Sequence, residues 1–130
     1  MDNAILVRPD IEAGKQLVRA LDASGLDVRA AFWLYREEGE EWRLYIAMPG
    51  VKEHDPREGY SKVLNVLKQN KISSIDLSEI SVIDPTDRLA TVLSLAFQTG
   101  PTDIKDIKVV GSAFNGVYFR AAHIYRMNVR

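Results

Sequence analysis

The sequence predicts an α+β fold, a single domain over 1–130 with a mostly antiparallel sheet of five or six strands and three helices. Three observations carry this. "VRAAFWLYR" (28–36) and "WRLYIAM" (42–48) are rich in aromatic and β-favouring residues and flank a short acidic turn, which describes a hairpin. Asn115-Gly116 lies between two β-like runs and predicts a second hairpin, because a type I′ turn needs positive φ at both central residues. Elsewhere apolar residues recur at helical spacing in three stretches.

The elements follow in order. "AILV" (4–7) is expected as a short buried strand ended by Pro9. From Asp10 the spacing becomes helical, with Gly14, Leu17, Val18 and Leu21 on one face and acids in the first turn. Gly25 is placed to stop this helix, with Leu26 packing back on its last turn. The two strands of the first hairpin come next, joined through "EEGEE". A second helix runs from about Pro56 to Lys68, with Tyr60, Val63, Leu64 and Leu67 as its stripe and Asn70 as its expected stop. "EISVI" (79–83) is a short strand. A third helix begins at "DPTD" and presents Leu89, Val92, Leu93 and Ala96, with Gly100-Pro101 ending it. The chain closes with the Asn-Gly hairpin. The order is (β)αββαβαββ, whose first six elements match the connectivity of a ferredoxin-like split βαβ unit. The helices are expected mainly on one face of the sheet.

Composition narrows the function. The chain has 130 residues, a net charge of −1 and no cysteine. Near-neutral charge supplies no global pull toward nucleic acid or an anionic membrane. Without cysteine there is no disulfide, thiolate metal site or cysteine nucleophile. "MDNAILVRPD" lacks the basic region and long apolar stretch of a signal peptide, and no stretch approaches a membrane span, so a cytoplasmic protein is expected.

"KEHDPREGY" (52–60) is the most chemical-looking stretch, and helix-start physics accounts for most of it. Asp55 fits the N-cap, Pro56 the first helical position, and Glu58 the position that reaches back to the cap's amide. "DPTD" repeats the pattern, with Asp84 as cap, Pro85 first and Asp87 in the reach-back position. His54 is left without a structural role. A zinc site joining it to His123 lacks any short ligand spacing. "EEGEE" lacks the alternating ligands of a calcium loop. "GSAFNG" matches no phosphate-binding motif and leads into a strand. Asp103 with Lys105 and Asp106 with Lys108 have the acid-x-lysine spacing of some Mg²⁺-dependent nucleases, but no second acid is evident on a neighbouring strand. An Mg-dependent enzyme is therefore the third reading, and no cofactor is expected.

The first hairpin is the more informative region. Arg29, Trp33, Tyr35, Arg43 and Tyr45 are expected on one sheet face, aromatic and basic, with Arg120 and Arg126 adding positive charge from the last hairpin. Three readings are open for this face. It is core beneath a helix or the last hairpin. It is a protein interface, with a partner or in a homo-oligomer, since Trp, Tyr and Arg anchor interfaces. Or it stacks single-stranded nucleic acid. The function expected is a non-catalytic interaction or accessory module that self-associates or binds a protein through this face. Nucleic-acid binding is the alternative.

Overall fold

The computed structural model describes residues 5–51 and 55–130; its elements are α1 (Arg8–Ala23), β1 (Ala30–Arg36), β2 (Glu41–Ala47), α2 (Pro56–Gln69), a 3-10 turn (Leu77–Glu79), β3 (Ile80–Ile83), α3 (Arg88–Ser94), β4 (Ile107–Phe114) and β5 (Val117–Met127). The strands form one sheet in the order β3-β2-β1-β5-β4. All neighbours are antiparallel except β2 and β3, which the α2 crossover joins in parallel. The α+β class and the order αββαβαββ are as the sequence predicts.

The first expected strand is not formed: residues 5–7 have no strand pairing, and Ala4 lies outside the described residues. Pro9 instead sits in the first turn of α1, where its missing N–H leaves no helical bond unmade. The ferredoxin-like unit stays incomplete for this reason. It needs that strand in the sheet, and β3 pairs directly with β2.

The helices divide between the two faces. α1 and α2 cover one, packing Leu17, Leu21, Val63 and Leu67 against Trp33, Leu44 and Ile46. α3 and the segment after it cover the other, with Ala90, Leu93 and Phe97 against Phe32, Tyr45, Phe119 and Ile124. The two long helices thus share one face, as expected, and only the short α3 lies on the other. The sheet's centre is sandwiched, which is why β1 is buried along nearly its whole length.

Helix ends follow local chemistry. Gly25 N–H donates to Asp22 and Leu26 N–H to Leu21, both at about 3 Å (3.0 and 3.1 Å), a Schellman stop at the expected glycine. α2 ends the same way one residue later than expected. Lys71, not Asn70, takes the left-handed conformation (φ 54°), and Ile72 N–H returns to Leu67 at 2.9 Å. Asp55 caps α2 through Arg57 N–H at 3.0 Å. Glu58 does not reach back, pairing instead with Lys62 one turn on at 3.6 Å. At α3 the cap is Asp87, which accepts from Leu89 N–H at 3.0 Å. Asp84 holds the preceding turn through Thr86 N–H (2.9 Å), so the helix starts three residues after the position predicted. It is also shorter, and Ala96 lies past its end.

Candidate functional site

The register of the first hairpin decides what becomes of the aromatic residues. Arg36 pairs with Glu41 and a four-residue turn spans 37–40, so Trp33 faces Leu44, Tyr35 faces Trp42 and Phe32 faces Tyr45. Directly paired residues share a face. Trp33 and Tyr35 therefore point toward α1 and α2, whereas Arg43 and Tyr45 point toward α3. The expected single aromatic and basic face does not exist. An even-length turn joins odd positions of one strand to even positions of the other, and the expected set combined odd with odd.

Each candidate has a structural setting. Trp33 is 0% exposed and donates its indole N–H to the Tyr125 hydroxyl at 2.9 Å; that hydroxyl donates to the Ile11 carbonyl at 2.6 Å. Burial raises the Tyr125 hydroxyl pKa well above its ordinary value. Tyr45 is 4% exposed, stacks on Phe32 with centroids 5.2 Å apart, and accepts from Arg36. Arg43 reaches Ser81 of β3 at 3.3 Å and Glu41 at 3.5 Å. Arg29 turns to Asp27 at 2.9 Å. Arg126 is 1% exposed: its guanidinium holds Asp22 at 2.9 and 2.8 Å and donates to the Asp103 and Val28 carbonyls. A guanidinium so enclosed ties α1, the loop before β4 and the start of β1 together, and presents nothing to a partner.

Two candidates do meet. Arg120 lies over the Tyr35 ring, 5.5 Å from its centroid, and Tyr35 packs edge-on against Trp42 at 5.6 Å. This contact leads to the exposed surface. β5 pairs with β1 only from Ala122 onward. Its first residues pair with β4 alone, so the second hairpin projects as a two-stranded arm. The turn is as predicted, with Asn115 (φ 48°) and Gly116 (φ 78°) both left-handed.

Residues that face the α3 side change parity within this arm. Ile124 and Ala122 do so near β1, but Phe119 and Val117 do so toward the tip. The change coincides with Gly111, whose φ of 56° is a conformation that a Cβ makes costly. It turns Tyr118 outward. Val110 (63%) and Tyr118 (62%) are among the few large apolar side chains left exposed among the described residues. Tyr118 pairs with Ala113 and Val110 with Ala121, while Lys108, beside them, faces His123. Ala121, Trp42 and Ile5, itself exposed, line an adjoining apolar recess of about 150 Å³. The arm's open face is thus apolar and aromatic at its centre and basic at Lys108 and Arg120. Sequence reasoning missed Val110 and Tyr118. The one available signal was a glycine inside a strand pattern.

The acid-x-lysine segment has other partners. Asp103 accepts from Gly100 N–H at 2.8 Å and shapes the loop. Asp106 bonds to Lys15 of α1 and, at 2.9 Å, to His123 Nε2. Burial pushes the Asp106 carboxyl up, but these two bonds prevail and hold it below the usual carboxylate range. No cluster of three or more His, Asp or Glu placed to hold a metal ion occurs among the described residues, and His54 lies outside them. Among the described residues, no helix is long and apolar enough to cross a membrane. Comparison with protein-family models, curated proteins and solved structures gives no match.

Proposed function

We propose that this chain is a non-catalytic protein-interaction module that binds through the open face of the β4–β5 arm. The observation that carries the reading is the outward pair Val110 and Tyr118 on a hairpin that the rest of the sheet does not flank. Burying each of them contributes roughly 1.5–3 kcal/mol, and a tyrosine beside an arginine is a frequent interface anchor. The proposal moves the contact away from the first hairpin, where Trp33 and Tyr45 are spent on the core. A chain without cysteine suits a reducing compartment, and we place the module in the cytoplasm.

Photo-crosslinking tests this. A photoreactive residue at position 118 gives protein adducts in cells, and the same residue at Lys68, on α2 toward the opposite, β3 edge of the sheet, gives none. Equal yields at both positions, or none at 118, would remove the proposal. A second reading rests on Lys108 and Arg120 sharing this face with Tyr118: the same face would stack single-stranded nucleic acid. That reading requires oligonucleotide binding that weakens steeply with salt. Absence of binding at about 50 mM salt eliminates it.

A further inference from the structure

Both hairpin turns lie at one end of the sheet, because β1 and β5 run antiparallel with Leu34 opposite Ala122. The turn at 37–40 is acidic, with Glu37, Glu38 and Glu40 exposed and Glu41 beside them. Glu38 and Glu41 are only loosely paired, with Arg36 at 3.6 Å and Arg43 at 3.5 Å. The other turn tops the arm that carries Tyr118, Arg120 and Lys108. Between the two is a recess of about 290 Å³, walled by Tyr35, Glu37 and Glu38 on one side and by Tyr118 and Arg120 on the other. One end of the molecule therefore holds an acidic projection and a basic, apolar one side by side. A two-fold axis through such an end sets each against its opposite on a second molecule. That is the self-complementarity an isologous dimer requires.

We infer that the arm's partner is a second copy of this chain, docked end to end so that each copy's acidic 37–41 turn lies against Tyr118 and Arg120 of the other, with Lys108 further down the same face, level with Trp33. The inference rests on the arm being the binding surface and names its occupant. Burial of Tyr118 supplies affinity, and the charges supply register, since like charges brought together oppose every other docking of this end. A net charge of −1 places no overall repulsion between copies.

A charge swap tests it by sedimentation equilibrium from about 1 to 100 μM, a range that reveals micromolar dimers. The wild type is expected to double its mass across this range and to revert as salt rises. A variant with Glu37, Glu38 and Glu40 changed to Lys, and another with Lys108→Glu and Arg120→Glu, each lose dimerisation by at least about tenfold. Mixed one to one they recover it, because each turn then meets an arm of opposite charge. Tyr118→Asp alone also yields a monomer, which keeps the test sound should a multiply charged variant not fold. A wild type monomeric at the top concentration overturns the inference, as do swapped variants that dimerise normally or folded variants that fail to recover on mixing. Crosslinks from position 118 to a different protein overturn it while leaving the interaction role intact. No crosslinks at all remove both.

Discussion

Replacing Gly14 by Ala should destabilise the protein, although alanine is the better helix former by about 1 kcal/mol. Gly14 lies in the middle of α1, where it faces the sheet. A Cβ there would fall 2.3 Å from the Tyr125 hydroxyl oxygen, 2.8 Å from Trp33 Nε1 and 2.9 Å from Tyr125 Cε2. The hydroxyl has nowhere cheap to go, since it is held between the Trp33 indole (2.9 Å) and the Ile11 carbonyl (2.6 Å). Forced overpacking costs about 1–3 kcal/mol, and each strained buried hydrogen bond adds roughly 0.5–1.5 kcal/mol. Net of the helix gain, Gly14→Ala should lose about 1–4 kcal/mol. Urea unfolding followed by Trp fluorescence measures this, with the slope unchanged and the midpoint lowered. Tyr125→Phe removes the nearest atom, so in that background the alanine should cost less, and a double-mutant cycle gives the coupling. A Gly14→Ala protein as stable as wild type would refute the reasoning, because it would mean that α1 does not press on Trp33 and Tyr125.

Other expectations follow from single contacts. Arg126→Met leaves Asp22 without its bidentate partner and two carbonyls unpaired, and should cost about 3–5 kcal/mol in chemical denaturation; a loss below 1 kcal/mol would mean that water replaces the guanidinium freely. Lys71→Gly relieves a left-handed lysine and should gain about 0.5–1 kcal/mol, whereas Gly25→Ala, at φ 78°, should lose a similar amount. Asp106 titrates below its ordinary 3.8 when folded, so its stabilisation is present above that pH and is lost as pH falls through the folded value. The carboxylate is 47% exposed, which limits the effect to at most about 1 kcal/mol. Asp106→Asn should be less stable than wild type at pH 6, with the gap narrowing as pH falls below 3.8 in thermal melts.

The architecture was largely legible because its signals are local. An Asn-Gly turn, a glycine stop after α1 and an aspartate-proline start to α2 act within a few residues, and each appears where the sequence puts it. What was not legible is relational. Which face Trp33 shares with β2 depends on the number of residues in the 37–40 turn, and miscounting it by one moves a whole strand to the other side. Whether a sheet face is open depends on where helices land, which leaves core and contact surface both open in the sequence, and α3 covers the face that carries Tyr45. Arg126 looked like surface charge because nothing in its neighbourhood reveals Asp22, which lies far away in the chain and completes its pair. The exposure of Tyr118 follows from a parity change at Gly111 that period-two reasoning passes over.

Hydroxyl-radical footprinting read residue by residue tests the central claim most directly: the first hairpin's aromatics are core and the arm is the contact surface. Tyr118 and Val110 should label quickly in dilute protein and lose labelling as concentration rises, while Trp33 and Tyr45 label slowly throughout. Rapid labelling of Trp33 and Tyr45, or a Tyr118 rate that concentration leaves unchanged and no bound partner lowers, would contradict it.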